Sequence, residues 1–209
     1  MAGGRGSRLE NKDKGLVHLQ NKTLVEHVIK RIAPQVNQLS ISCNRNQEQY
    51  QTILDQNLNG FHDSSKNQCL TDNDDQFAGP LAGIARFLPD STHDYLFICP
   101  CDTPLLPSDL VMRLLGHLQE TGAQACFPCD TNQKHPLILL IKRDIAQLSM
   151  TRLLSNSPLS STRSPSVRDW LAHLDSSELF CDDESLTWSN INNRNELEKI
   201  SLLLRQKSA

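Results

Sequence analysis

Two short stretches of the chain carry side chains that could bind and transfer a phosphate group. The first, "MAGGRGSRLENKDKGL" at residues 1–16, combines glycines at 3, 4 and 6 with four basic side chains. Glycine lets backbone N–H groups approach an anion without a Cβ in the way, and Arg8 and Lys14 could hold phosphate oxygens. A glycine-rich terminal tail with solvated charges has the same composition, so this stretch alone leaves both interpretations open. It contains neither the P-loop nor the dinucleotide-binding glycine pattern.

The second candidate for phosphate chemistry is Asp102, which follows the apolar run "DYLFIC" at residues 94–99. Such a run is typical of a strand covered on both faces, and open α/β sheets bind ligands at the carboxyl ends of their strands. A carboxylate in that place suits Mg²⁺. Capping of the turn that begins with Thr103 and Pro104 is the alternative role. The glycine loop and Asp102 together favour magnesium-dependent nucleotide chemistry.

The elements that must position these residues alternate between helical and extended patterns. Apolar residues at helical spacing predict helices at residues 24–32, 46–54, 79–88, 107–119, 143–155 and 196–204. Apolar or alternating runs predict strands at 38–43, 94–99, 123–129, 135–142 and 178–183, with the strand at 94–99 in the centre of the sheet. This alternation indicates an α/β fold with a mostly parallel sheet and helices on both faces. The Ser- and Pro-rich residues 156–166 are expected to form a mobile surface loop.

Composition limits the partners and the compartment. The 209 residues suffice for one sizeable domain, and a net charge of −3 gives no electrostatic case for a nucleic-acid partner. No apolar stretch reaches the roughly 18 residues that span a bilayer, and the polar start is not a secretory signal, so we expect a cytoplasmic protein without membrane contact. Its seven cysteines are then expected to be reduced thiols. Four of them, in "CPC" at 99–101 and "CFPC" at 126–129, could be zinc ligands, although their spacing is unlike that of a zinc knuckle.

Several motifs, taken together, resemble one family, the molybdenum cofactor guanylyltransferases or MobA proteins. They are "AGG" at 2–4, Arg8, "DKGL" at 13–16, "GPLAG" at 79–83, "CPCDTP" at 99–104, "HP" at 135–136 and "NIN" at 190–192. The likeness spans nearly the whole chain, and the order and spacing of the motifs are more specific than any one of them. The "DKGL" motif distinguishes the chain from sugar-phosphate nucleotidyltransferases, whose comparable loop typically runs to a Pro-Lys pair.

The resemblance implies a Rossmann-like nucleotidyltransferase fold in a single domain at 1–209. Residues 1–110 of this domain are expected to bind the nucleotide, and residues 111–209 the acceptor. The implied enzyme uses Mg²⁺ as its cofactor and transfers GMP from GTP to molybdenum-molybdopterin, which forms the guanine dinucleotide cofactor and releases pyrophosphate. We expect a monomer that makes transient contacts with other proteins of molybdenum cofactor biosynthesis and with apo-molybdoenzymes.

The resemblance also implies roles for individual residues that match the family's motifs. Arg8, Lys14 and Asp102 are the expected catalytic residues, and Asp102 is the expected ligand of the metal. The residues expected to bind GTP are Met1, Ala2, Gly3, Lys14, Ser42, Asp72 and Asp102. His135, Asn190 and Asn192 are expected near the acceptor, although Asn also favours tight turns and a lone His is more often a structural donor.

The chain departs from the family pattern in three places. Leu9 and Glu10 stand where the family commonly has Met-Gly, which brings a carboxylate near the expected phosphate site. Arg163 is out of register with the basic pair that usually comes just before the valine at 167. The apolar first strand that usually precedes the glycine loop is missing, and we expect that the start at Met1 is misassigned.

These departures keep two other functions open. One is a nucleotidyltransferase that uses CTP or acts on another phosphorylated acceptor, which a measured nucleotide preference would identify. The other is a catalytically degenerate protein that binds nucleotide or hands over the cofactor, and GTP binding without pyrophosphate release would identify it.

Overall fold

The structure of the protein, a computed structural model, describes residues 13–58, 67–71, 80–89, 91–156 and 165–206. Its strands are β1 (His18–Leu19), β2 (Lys22–Thr23), β3 (Ile41–Cys43), β4 (Cys69–Thr71), β5 (Tyr95–Ile98), β6 (Ala125–Cys129), β7 (Leu139–Lys142) and β8 (Ser176–Phe180). Its α-helices are α1 (Leu24–Ile32), α2 (Gln47–Leu58), α3 (Pro80–Phe87), α4 (Leu110–Thr121), α5 (Arg143–Asn156), α6 (Val167–Leu171) and α7 (Arg194–Gln206). Short 3-10 helices occur at Lys14–Leu16, Ala33–Gln35 and Ser185–Trp188. The helices and strands predicted above are present, most of them with ends shifted by a few residues. The predicted surface loop at 156–166 lies mostly outside the described residues.

Helix α1 shows how local sequence sets these boundaries. The Thr23 side chain accepts a hydrogen bond from the Glu26 N–H, and the Thr23 N–H donates to the Glu26 carboxylate at 2.7 Å. This reciprocal capping satisfies N–H groups that have no partner inside the helix. The apolar positions of α1 fall on one face, which is buried against the core, and Pro34 follows the helix in a 3-10 turn.

The described strands form two main sheets. Strands β3 and β4 pair in parallel, and the second sheet has the order β5-β7-β6-β8. Strand β6 is parallel to β8, whereas β7 runs antiparallel to both β5 and β6. Only residues 130–138 connect β6 to β7, which is short of the roughly dozen residues that a parallel crossover needs. The sheet is therefore mixed at β7, and within the described residues β5 lies at the edge of its sheet and not in the centre.

A mainly apolar cavity of about 320 Å³ lies between the two sheets. Residues of β3, β5, α1, α3 and α4 line it. One hydrophobic cluster packs α1, α2, β3 and β4 together on one side, and another packs β5, β6, β7, α3 and α5 on the other. Among the described residues no strand pairs with both sheets. None of the described helices has the length and apolar character needed to cross a bilayer.

Candidate active site

The candidate site lies where the segment after β5 meets the segment before α7. The backbone carbonyl of Asp102 accepts a hydrogen bond from the Ile191 N–H at 2.9 Å. Beside it, the fully buried Thr103 donates its hydroxyl hydrogen to the side-chain oxygen Oδ1 of Asn190 at 2.8 Å. These two bonds fix the "NIN" motif against the "CPCDTP" motif, although the two motifs are far apart in sequence.

Lys14 reaches this junction from the other end of the chain. Its Nζ lies 3.4 Å from Asp102 Oδ2 and donates a hydrogen bond to Asn192 Oδ1 at 2.5 Å. The side chains of Lys14 and Asp102 are 20% and 11% exposed, so the ion pair is largely shielded from solvent. The structure therefore brings together three of the residues that the sequence analysis singled out.

Asn192 is itself held by the start of helix α7. Its backbone N–H donates to Glu196 Oε2 at 2.6 Å, and the Glu196 N–H donates to the side-chain oxygen of Asn193 at 3.0 Å. The two bonds satisfy backbone N–H groups at the beginning of α7 and fix the turn that precedes it. A helix cap thus sets the position of the amide that receives the Lys14 ammonium group.

Asp102 has the chemistry of a residue that could hold a divalent cation. Its Oδ1 is buried and has no hydrogen-bond partner within the described residues, while Oδ2 faces Lys14. A buried carboxylate oxygen without a partner is costly unless a cation or water approaches it. Mg²⁺ commonly takes one or two protein carboxylates and completes its shell with water and substrate phosphates. The donor set at Asp102 fits this ion.

The described part of the chain contains no cluster of zinc ligands. Within it, no group of three or more His, Cys, Asp or Glu side chains could hold a metal ion. All seven cysteines lie in this part and each is a thiol. Burial raises the pKa of Cys99 to about 11 and that of Cys101 to about 12, so neither is an ionised nucleophile near neutral pH. The cysteines beside Asp102 are packing residues.

Ser42 and His135 occupy different surroundings. Ser42 is buried in the middle of β3 and lines the cavity between the sheets, as Cys99 and Cys101 do. The His135 ring stacks on Trp188 with 5.2 Å between the ring centroids, and its Nε2 lies 3.2 Å from Asp130 Oδ2. His135 therefore packs against Trp188, which precedes Asn190 by two positions in the chain. The expected role of His135 at the acceptor stays a prediction, as do those of the two asparagines.

The carboxylate that partners His135 is held in its ionised form. Burial raises the pKa of Asp130, but hydrogen bonds from the N–H groups of Gln133 and Asn132 and from His135 outweigh it. The net effect lowers the pKa of Asp130 below its ordinary value of 3.8. This carboxylate fastens the connection between β6 and β7.

Sequence reasoning missed the role of Asp13, the first residue of the "DKGL" motif. Asp13 is buried, and its carboxylate accepts hydrogen bonds from the Tyr50 hydroxyl at 2.6 Å and from Asn46 Nδ2 at 3.1 Å. The Arg45 Nε lies 3.6 Å from the same carboxylate. An acidic residue in a loop expected to bind phosphate would repel the ligand unless its charge has a partner within the protein. The charge of Asp13 was therefore the signal in the sequence that this residue has a structural partner.

The remaining expected site residues lie outside the described residues. They are Met1, Ala2, Gly3, Arg8 and Asp72, and the same holds for Glu10 and Arg163. Their roles stay predictions from the resemblance.

Sequence comparisons agree with the motifs. The family described as "MobA-like NTP transferase domain" matches residues 1–176. A molybdenum cofactor guanylyltransferase from Shewanella halifaxensis is 38% identical over 142 residues, which are 68% of this chain and 65% of that relative. Another, from Shewanella sp. strain MR-4, is 39% identical over 154 residues, which are 74% of this chain and 72% of that relative. The matched region thus spans about two thirds of the length of the first relative and slightly more of the second.

Solved structures share the fold. A molybdopterin-guanine dinucleotide biosynthesis protein A from Archaeoglobus fulgidus superposes with a TM-score of 0.71 at 19% identity, covering 98% of this chain and 96% of that one. A Methanothermobacter nucleotidyl transferase gives a TM-score of 0.68 at 15% identity, covering 99% and 95%. These likenesses confirm the predicted Rossmann-like nucleotidyltransferase fold. Because the family match extends over most of the chain, as far as residue 176, the protein belongs to the MobA-like NTP transferase family.

Proposed function

We propose that this chain transfers GMP from GTP to molybdenum-molybdopterin, forming the guanine dinucleotide cofactor and pyrophosphate. The Shewanella relatives are named molybdenum cofactor guanylyltransferases. The structural observation that supports the same activity here is the meeting of Lys14 with Asp102 and Asn192. A cation, a carboxylate and an amide at the end of a sheet strand suit a substrate rich in phosphate charge.

The charges of the reactants define what the site must do. An oxygen of the acceptor's terminal phosphate forms a bond to the α-phosphorus of GTP, and the bond from that phosphorus to the bridging oxygen of the β-phosphate breaks. Pyrophosphate leaves with the electron pair. Both reactants are anions, so cationic groups must offset their repulsion and the charge that develops on the leaving group. Lys14 supplies one such charge, and Asp102 and Asn192 hold its ammonium group in place.

Asp102 is the residue that we propose to hold Mg²⁺, through the buried Oδ1 that has no partner among the described residues. When bound, Mg²⁺ would neutralise phosphate charge and orient the phosphates. The acceptor itself provides the attacking oxygen, so the reaction needs no side-chain nucleophile. The high pKa values of Cys99 and Cys101 agree with this requirement.

The test is formation of the dinucleotide by the 209-residue chain. GTP labelled at the α-phosphate is incubated with Mg²⁺ and molybdenum-molybdopterin, and the labelled dinucleotide and pyrophosphate are measured, with CTP as the competing nucleotide. Lys14→Ala is expected to lower the rate at least about 100-fold, because it removes a charged contact in a shielded site. Lys134→Ala is the matched control, since Lys134 is an exposed lysine paired with Glu178.

Each other outcome contradicts the proposal in a different way. Product from CTP at the rate seen with GTP would identify a different nucleotide specificity. GTP binding without product or pyrophosphate would identify a degenerate nucleotide-binding protein. An equal effect of Lys14→Ala and Lys134→Ala would remove Lys14 from the site.

In the cell we propose a cytoplasmic monomer, with transient contacts to other cofactor-biosynthesis proteins and to apo-molybdoenzymes that receive the product.

A further inference from the structure

A buried polar cluster lies beneath the loop that carries Lys14. Its centre is the Asp13 carboxylate, whose side chain is 2% exposed. Tyr50 donates its hydroxyl hydrogen to Asp13 Oδ1 at 2.6 Å, and Asn46 Nδ2 donates to Oδ2 at 3.1 Å. Burial raises the pKa of Tyr50, so this hydroxyl keeps its proton and remains a donor. The Tyr50 hydroxyl is therefore a fixed donor to the Asp13 carboxylate.

Tyr50 contacts both neighbours of Lys14 in the chain. On one side it binds the Asp13 carboxylate, as described. On the other side it packs directly against Gly15, because a Cβ added there would lie 2.4 Å from the Tyr50 hydroxyl oxygen and 3.1 Å from the ring. Glycine at 15 is thus what lets the backbone approach the ring so closely. The backbone of Lys14 is therefore held on both sides by contacts of its neighbours with the Tyr50 side chain.

Tyr50 is itself fixed in the core. It is fully buried in helix α2, in the hydrophobic cluster that also contains Leu54, Val25 and Cys43. Its backbone N–H donates to the Asn46 carbonyl at 3.1 Å, and Asn46 has a left-handed φ of 58°, which asparagine adopts more readily than most residues. The β3–α2 connection therefore places Asn46 and Tyr50 together against Asp13.

We infer that Tyr50 is a positioning residue for Lys14, holding the loop through Asp13 and Gly15 so that the ammonium group reaches Asp102 and Asn192. Lysine has a flexible stem, and an anchored backbone reduces the number of positions that its ammonium group can take. Small misplacements of charged groups in active sites cost large factors in rate. The inference rests on the proposed function, because the rate to be measured is that of GMP transfer.

Tyr50→Phe tests the inference, since it removes only the hydroxyl group. We expect kcat/KM for GTP to fall about 10-fold to 100-fold, the range for a lost hydrogen bond to a charged group. Tyr95→Phe is the matched control, because Tyr95 is the other tyrosine of the chain and lies in β5, outside this cluster. It is expected to change kcat/KM less than about 2-fold, within the scatter of a substitution that leaves the site intact.

A double-mutant cycle separates positioning from general stabilisation. If Tyr50 acts through Lys14, then Tyr50→Phe introduced into the Lys14→Ala protein changes kcat/KM less than about 3-fold. The dissociation constant of Mg-GTP is also measured for the unmodified chain, the two single variants and the double variant. Equilibrium dialysis serves for this, because it requires no turnover. Equal losses from Tyr50→Phe with and without Lys14 would overturn the inference, because Tyr50 would then act on the whole protein.

The two proposals fail in distinguishable ways. An inactive unmodified chain would contradict the proposed function, and the cycle measured on Mg-GTP binding would still decide the role of Tyr50. An active chain in which Tyr50→Phe and Tyr95→Phe behave alike would contradict the positioning role and leave the proposed function standing.

Discussion

Replacing Asp102 by asparagine isolates the charge of this side chain with little change in its shape. The substitution removes the anionic partner of the Lys14 ammonium group, which lies 3.4 Å from Oδ2. It also removes the charge that we propose for metal binding, since Oδ1 is the buried oxygen without a described partner. We therefore expect Asp102→Asn to lower turnover about 1,000-fold while the chain stays folded.

The magnitudes follow from the geometry. Two unit charges 3.4 Å apart attract by about 5 kcal/mol at an effective dielectric constant of about 20. Asp102→Asn relieves the loss of hydration of the Asp102 charge only, because the Lys14 ammonium group stays shielded after its anionic partner is removed. Because Lys14 is 20% exposed and keeps its hydrogen bond to Asn192, we expect the free energy of unfolding to fall by about 1–3 kcal/mol, less than for a fully buried pair. In catalysis no other described group replaces the lost charge of Asp102. A loss of about 4 kcal/mol of electrostatic stabilisation of the transition state lowers the rate about 1,000-fold.

The assay measures dinucleotide formation and urea unfolding on the same preparation. Asp182→Asn is the control, because Asp182 is exposed and is not among the described partners of Lys14, which are Asp102 and Asn192. Turnover within about 10-fold of the unmodified chain would refute the assignment of Asp102 to the charge centre, given the size of the expected effect. An unchanged free energy of unfolding would contradict a shielded ion pair between Lys14 and Asp102.

Three further predictions concern the neighbouring contacts. Asn192→Ala removes the hydrogen-bond acceptor of the Lys14 ammonium group, and kcat/KM for GTP should fall about 10-fold to 100-fold in steady-state assays. Gly15→Ala places a methyl group against the Tyr50 hydroxyl and should lower the free energy of urea unfolding by about 1–3 kcal/mol. Removing that hydroxyl by Tyr50→Phe in the same chain should recover part of the loss; no recovery would contradict the proposed clash. Because the pKa of Asp130 is lowered on folding, its charge contributes stability above its ordinary pKa of 3.8, and this contribution is lost as the pH falls below about 4. Asp130→Asn should therefore be less stable than the unmodified chain at pH 7, with the difference in unfolding free energy shrinking towards pH 2.

Local patterns predicted local structure well. Helix α1 has the predicted boundaries, because its apolar face and the capping residue Thr23 are both encoded within a few residues. The direction of β7 was not predictable from its apolar run, since hydrophobicity along a strand is the same in either direction. The short connection from β6 decides it. The expected central position of β5 depended in the same way on pairing with distant segments.

The candidate site was only partly predictable for the same reason. Lys14, Asp102 and Asn192 were singled out from motifs, and the structure brings them together. No pattern in the sequence indicated that Asn192 would accept a hydrogen bond from Lys14, because the two lie 178 positions apart. Nor could the partnership of Asp13 with Tyr50 be predicted, since it depends on how α2 packs against the loop.

The separation of Lys14 and Asn192 has a consequence for synthesis of the protein on the ribosome. Lys14 is translated 178 positions before Asn192, and the helix cap that holds Asn192 is made later still. Helix α1 and the Asp13–Tyr50 contact connect neighbouring segments and can form while translation continues. The contact between Lys14 and Asn192 must close a loop of 178 positions and can form only after Asn192 has been translated. A nascent chain therefore lacks a completed site until translation has passed helix α7.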